Sequence, residues 1–124
     1  MSIRPTLALI AIRPGSLQDS LVALMTTMHQ VNSVLIAEDA VSALRTAAQH
    51  RPALFVLEMD LGMEETRIVL REVKSRWPLT RCLALADCVE QKEEAESAGA
   101  DVVLIKGFTA AKFTKTIEGL LCGE

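Results

Sequence analysis

The sequence predicts an α/β sandwich in which helices cover a parallel β-sheet. Five short apolar runs alternate along the chain with five segments of helical periodicity. The apolar runs are mostly continuous rather than alternating, which is typical of parallel strands buried on both faces. Strands that alternate with helices in this way favour right-handed β–α–β units within one sheet.

The first strand and helix are predicted near the N-terminus. The run TLALIAI at residues 6–12 predicts a strand, and Pro14-Gly15 ends it. Ser16 and Asp19 have capping-box spacing, which predicts that the first helix begins there. The apolar face of this helix comprises Leu21, Leu24, Met25 and Met28.

The next two units follow the same order. The run SVLIA at residues 33–37 predicts the second strand, and Glu38 or Asp39 is expected to cap the helix behind it. The run at residues 53–57 predicts the third strand, which two acidic residues follow. Pro78 ends the third helix. The apolar faces of these two helices comprise Ala40, Ala43, Leu44, Ala47 and Ala48, then Val69, Leu70, Val73 and Trp77.

The last two units complete the alternation. Residues 82–86 and 102–105 predict the fourth and fifth strands, and residues 90–98 predict a short acidic helix between them. The apolar face of the final helix comprises Ala110, Phe113, Ile117, Leu120 and Leu121. We therefore expect one domain over residues 1–124, without a linker or an internal repeat.

Composition excludes several classes of protein. The net charge of -3 argues against sequence-independent binding of nucleic acid, which needs a basic face. No apolar run approaches the roughly 20 residues that cross a bilayer, so no membrane segment is expected. Three cysteines without C-x-x-C spacing indicate a reducing compartment, and we expect a cytoplasmic protein.

Charged residues follow several of the predicted strands. In open parallel sheets, ligands bind beyond the carboxyl ends of the strands. The residues expected there are Ile12-Arg13, Glu38-Asp39, Glu58-Met59-Asp60, Asp87 and Lys106-Gly107. Acids and one lysine therefore gather at one edge of the sheet, in an arrangement typical of a binding site.

Two segments resemble the receiver domain of two-component response regulators. AEDAVSALRTAAQHRPALFVLE, residues 37–58, is similar to that family's second helix and the strand that ends in its phosphoacceptor aspartate. SAGADVVLIKGFT, residues 97–109, resembles its Ala-Gly-Ala turn, fifth strand and Lys-Pro-Phe motif. The resemblance covers essentially the whole chain. It implies a flavodoxin-like, doubly wound (βα)5 three-layer sandwich with a five-stranded parallel sheet of order 2-1-3-4-5.

The resemblance also implies where the family's phosphorylation site would lie. In the family, an acid pair after the first strand and the phosphoacceptor after the third hold magnesium, while a hydroxyl and a lysine contact the phosphoryl group. The corresponding positions are Ala11-Ile12 or Ile12-Arg13 for the acid pair, Glu58 for the phosphoacceptor, Leu85 for the hydroxyl, Val103 for the switch aromatic, Lys106 for the lysine and Gly107 for the proline. Only Lys106 keeps its family identity.

These departures predict a degenerate receiver, or pseudo-receiver. Without the acid pair we expect magnesium binding to be lost, no other cofactor, and no enzymatic activity. The predicted role is phosphorylation-independent binding of a protein partner through residues of about 89–121, with no direct contact to nucleic acid. The partner would be a second copy in a homodimer, a kinase or an attached output domain.

Two other functions remain open. One is a working phosphoacceptor that uses Glu58 or Asp60 as nucleophile, and the other is a small-ligand-binding α/β domain. Residues 13–16 disfavour small-ligand or nucleotide binding, because they do not form a glycine-rich phosphate loop after the first strand.

Individual charged residues also have competing interpretations. Glu58 is a phosphoacceptor, a mimic of the phosphorylated state, or half of a structural ion pair with Lys106, and the ion pair is favoured. Asp60 is expected to be exposed in the loop after the strand. The stripe Arg67, Arg71 and Lys74 is interpreted as a solvated helix face, or else as a contact for an acidic partner.

Overall fold

The computed structural model of the protein describes residues 6–122. Five strands form one sheet: β1 (Leu7–Ala11), β2 (Ser33–Ala37), β3 (Leu54–Glu58), β4 (Arg81–Ala86) and β5 (Val102–Ile105). Their order is β2-β1-β3-β4-β5, and every neighbouring pair is parallel. The predicted fold class and strand order are confirmed.

Four helices connect the strands, and a fifth follows β5. They are α1 (Ser16–Thr26), α2 (Ala40–His50), α3 (Met63–Arg76), α4 (Val89–Ala98) and α5 (Ala110–Cys122). A single 3-10 turn, Met59–Leu61, separates β3 from α3. No helix within the described residues is both long enough and apolar enough to span a membrane.

The sheet separates two hydrophobic clusters. Leu9 and Phe55 point to the face that α2, α3 and α4 cover, while the intervening Ile10 and Val56 point to the face covered by α1 and α5. This alternation within continuous apolar strands explains why each strand needs hydrophobic residues at nearly every position. Small residues bring α2 close to the sheet: Ala40, Ala43 and Ala47 are its buried positions.

Helix capping differs from the prediction at α1. Gly15, not Ser16, is the N-cap of α1, and no side chain caps the helix. The first helical hydrogen bond joins the Asp19 N–H to the Gly15 carbonyl at 3.0 Å. Ser16 is therefore already inside the helix, one residue too late to cap it.

A capping box does occur at α2. Asp39 Oδ1 accepts the backbone N–H of Ser42 at 2.7 Å, and Ser42 Oγ accepts the backbone N–H of Asp39 at 3.4 Å. The prediction that Asp39 caps this helix is confirmed. The hydrogen bonds from Ser42 hold the pKa of the Asp39 carboxyl below its usual range.

The prediction that the basic stripe on α3 is a solvated face is correct for Arg71 but wrong for Arg67 and Lys74. Arg67 pairs with Glu94 of α4 at 3.1 Å. Lys74 Nζ lies 2.9 Å from an Asp101 carboxylate oxygen and donates to the Thr80 carbonyl at 3.0 Å. Two of the three cations therefore join α3 to neighbouring segments, and only Arg71 is exposed. Helical spacing places these residues on one face, but it does not reveal which acids that face meets.

The Asp39 cap predicts a pH-dependent contribution to stability. We expect Asp39→Ala to lower the melting temperature at neutral pH and Asp39→Asn to lower it less, since asparagine also caps helices. Because the folded-state pKa of Asp39 is lowered, its charge stabilises the fold above the ordinary pKa and stops doing so as pH falls through the folded pKa. The difference between wild type and Asp39→Asn should therefore shrink in acid. Equal melting temperatures for all three proteins at neutral pH would contradict this.

Candidate functional site

The charged residues named by the sequence gather at the carboxyl edge of the sheet. Register places Glu58 of β3 opposite Leu85 of β4, and Ala86 opposite Ile105 of β5. The residues that follow these strand ends are thus neighbours, although they are distant in the sequence. The Lys106 N–H donates to the Ala86 carbonyl at 2.8 Å, which fixes the lysine beside the end of β4.

Glu58 lies at the centre of this edge. Its side chain is only 5% exposed. Oε1 accepts the backbone N–H of Arg13 at 2.8 Å, and Oε2 accepts a hydrogen bond from Lys106 Nζ. The ion pair expected between Glu58 and Lys106 is therefore present, and both carboxylate oxygens have partners. The roles of Glu58 as phosphoacceptor or mimic stay predictions.

Lys106 also binds a second acid. Its Nζ lies 2.9 Å from Asp87 Oδ1, and its side chain is 25% exposed. Burial lowers the pKa of Lys106, but the hydrogen bonds to the Glu58 and Asp87 carboxylates and their negative charges together raise it by more, so the lysine pKa lies above its ordinary value. Lys106 is thus a cation shared by two carboxylates.

The sequence places Asp87 at this edge, directly after β4, but it does not predict that Asp87 pairs with Lys106. Its position directly after β4 was the available signal, because carboxyl ends of parallel strands converge. The backbone N–H of Asp87 donates to Gln91 Oε1 of α4 at 2.6 Å. Asp87 therefore connects the edge of the sheet to the start of this helix.

Arg13 and Asp60 form a second ion pair at the same edge. Arg13 is exposed, and Asp60 is partly exposed in the 3-10 turn that follows β3. The expectation that Asp60 is solvent-accessible is correct, but the residue lies in a turn of defined geometry and has a cationic partner. The sequence places both residues at this edge but does not predict that they pair, because pairing depends on the direction of the side chains after folding.

The donors at this edge do not fit a divalent cation. Ile12 is fully buried in the cluster beneath α1 and α5, and Arg13 brings a guanidinium group where the family has an acid. Within residues 6–122 no three His, Cys, Asp or Glu side chains are grouped so that they could hold a metal. Magnesium requires several oxygen ligands in octahedral geometry. Loss of magnesium binding stays a prediction from this chemistry.

The positions corresponding to the family's switch residues lie in different environments. Leu85 is fully buried beneath α1 and α5, and Val103 is half-buried against the cluster on the opposite face. Gly107, in the position of the family's proline, has φ of 105°. Proline is fixed near −65° and cannot adopt this backbone. Phe108 after it stacks on Phe113, with ring centroids 5.8 Å apart.

Comparison with known proteins identifies the fold. No family model and no curated protein matches the sequence. Among solved structures, a CheY-like response regulator receiver domain protein from Methanospirillum hungatei matches with a TM-score of 0.84 and 18% identity, covering 95% of this chain and 94% of that one. Vibrio cholerae chemotaxis protein CheY4 matches with a TM-score of 0.80 and 20% identity, covering 94% and 99%.

A longer protein contains the same fold. NtrX from Brucella abortus, solved in complex with ADP, matches with a TM-score of 0.81 and 21% identity over 95% of this chain. The match spans only 26% of NtrX. At these identities the likeness establishes architecture: the chain has the fold of response regulator receiver domains.

The Glu58 contacts predict a large effect of removing this carboxylate. We expect Glu58→Ala to lower the free energy of unfolding by about 1–3 kcal/mol, because it leaves the Arg13 N–H without its acceptor and Lys106 with one acid instead of two. Denaturant unfolding measures this change. Glu93→Ala is the control, since Glu93 is an exposed acid on α4. A Glu58→Ala protein as stable as the control would contradict a structural role for the ion pair.

Proposed function

We propose that this chain is a receiver-like signalling domain that acts by binding another protein and does not accept a phosphoryl group. The observation that supports the proposal is the bonding of Glu58, whose two oxygens contact Lys106 and the Arg13 N–H. A carboxylate that attacks phosphorus uses an oxygen lone pair in line with the leaving group. The donors bonded to both Glu58 oxygens draw electron density from them and lower their nucleophilicity.

The charge at the edge also disfavours an incoming phosphoryl group. Two cations, Arg13 and Lys106, face three carboxylates, Glu58, Asp60 and Asp87, so the formal sum is -1. Phosphoryl transfer depends on metal ions and cations that offset the charge of the transferred group. Here the cations are already bonded to acids of the chain itself.

Asp60 is the other candidate acceptor, and its contacts weaken that alternative. Its carboxylate is bonded to Arg13 in the turn after β3. Among the described residues, Asp60 belongs to no group of three or more His, Cys, Asp or Glu side chains that could hold a metal. The proposal therefore applies to both Glu58 and Asp60.

Treatment with a phosphodonor tests the loss of acceptor chemistry. We expect no gain of mass when the protein is incubated with magnesium and acetyl phosphate, and no change in the amide NMR signals of Glu58 and Lys106 with beryllofluoride. A receiver that is known to be phosphorylated serves as the positive control. A magnesium-dependent mass gain would overturn the proposal, and its loss in Glu58→Gln or in Asp60→Asn would identify the acceptor.

The proposed binding surface comprises α4, β5 and α5, at residues of about 89–121. Val89 and Ile105 expose apolar side chains there. Three exposed acids, Glu90, Glu93 and Glu96, lie on α4, and two exposed lysines, Lys112 and Lys115, lie on α5. Opposite charges on α4 and α5, which cover opposite faces of the sheet on either side of β5, suit pairing with a second copy in which α4 of each copy faces α5 of the other. A kinase or an attached output domain in the cytoplasm is the other proposed partner.

Self-association is the first form of this binding to test. We expect the solution mass to rise from monomer toward dimer across a concentration series, and Ile105→Glu to keep the protein monomeric. Ile68→Glu is a matched control, because Ile68 is a similarly exposed isoleucine on α3, outside the surface (49% against 39% exposed for Ile105). A constant monomer mass would contradict self-association and leave docking to a different protein.

A further inference from the structure

A second concave surface lies at the opposite, amino edge of the sheet. It is an open cavity of about 730 Å³ beside the starts of β1, β3 and β4. Most of its wall is formed by residues 49–53, from the end of α2 to the start of β3, and by residues 76–80, from the end of α3 to the start of β4. Sites for small ligands commonly have volumes of roughly 300–1,000 Å³. The proposed function makes no use of this cavity.

The cavity combines an apolar wall with basic side chains. Three consecutive apolar residues, Trp77, Pro78 and Leu79, line one side, and Leu79 is 89% exposed. His50, Arg51 and Arg76 also line it. None of its described lining residues is acidic, although the chain as a whole carries a net charge of -3.

The ends of α2 and α3 explain why some of these polar residues lie at the cavity, but they do not explain Arg51 or Leu79. Arg76 is the last residue of α3, where a cation interacts favourably with the helix dipole, and His50 is the last residue of α2. Arg76 also pairs with Glu72 at 2.9 Å. Arg51 makes no ion pair with any acid of residues 6–122, so its guanidinium is available to a ligand. Helix dipoles do not explain the exposed leucine beside these cations.

We propose that this cavity binds a small organic anion, with a carboxylate, phosphate or sulfonate group on an apolar body. The apolar body lies against Trp77, Pro78 and Leu79, and the acidic group binds Arg51 with His50 and Arg76 nearby. Guanidinium groups bind such acids with paired hydrogen bonds, which gives the site its selectivity for charge. The chemistry differs from that of the Glu58 edge, where the cations already have acids of the chain as partners.

Intrinsic fluorescence gives a direct measurement of this binding. Trp77 is the only tryptophan and the chain has no tyrosine, so tryptophan emission comes from the wall of the cavity. The probe is anilinonaphthalene sulfonate, and N-phenylnaphthylamine is its uncharged counterpart. We expect saturable quenching of Trp77 with energy transfer to the sulfonate dye, and about tenfold weaker binding of the uncharged compound.

Two variants test the residues that carry the proposal. We expect Arg51→Asn and Leu79→Ser each to weaken binding of the dye by about tenfold, while Arg71→Asn, an exposed arginine on α3 outside the cavity, leaves it unchanged. Asparagine suits position 51 because Arg51 has φ of 47°, a left-handed conformation that asparagine tolerates. If Arg51→Asn proves unstable, Leu79→Ser decides the test, since its side chain is almost fully exposed.

Three results would overturn the proposal. They are the absence of saturable quenching, equal binding of the charged and uncharged dyes, and wild-type affinity in both Arg51→Asn and Leu79→Ser. Because this cavity and Glu58 lie at opposite edges of the sheet, none of these results bears on the proposed function.

Discussion

The Glu58 carboxylate joins three strands of the sheet at their carboxyl ends. It belongs to the central strand β3, and its partners are Lys106 after β5 and the Arg13 N–H after β1. A buried carboxylate is destabilising unless cations and hydrogen-bond donors surround it, so these contacts are a condition of the fold. The other two acids at this edge contact the same partner residues. Asp87 shares Lys106 with Glu58, and Asp60 pairs with the guanidinium of Arg13.

The sequence predicts the positions of the strands and helices well, because these depend on local patterns of apolar residues. The strand order 2-1-3-4-5 was instead implied by the family resemblance. Continuous apolar runs marked the strands, alanines at helical spacing marked the buried face of α2, and convergence of parallel strands placed Glu58 and Lys106 at one edge. Other contacts could not be predicted. The cap of α1 depended on backbone torsion at Gly15, and the pairs of Arg13 with Asp60 and of Lys74 with Asp101 depended on side-chain direction after folding.

The two edges of the sheet differ in how their charges are neutralised. At the carboxyl edge, acids and bases of the chain bind one another, so a ligand must compete with internal ion pairs. At the amino edge, Arg51 has no acidic partner among the described residues and stands beside an exposed apolar side chain. In open α/β sheets ligands usually bind at the carboxyl edge. In this molecule the proposed anion-binding site lies at the opposite, amino edge.

The backbone at Gly107 restricts which residues its position can hold. With φ of 105°, the residue occupies a conformation that proline cannot reach, and the Phe108 ring after it is stacked on Phe113. Replacing Gly107 by proline would therefore force the loop to rearrange and would lower stability. Position 107 can hold proline only together with changes at neighbouring residues that alter this backbone.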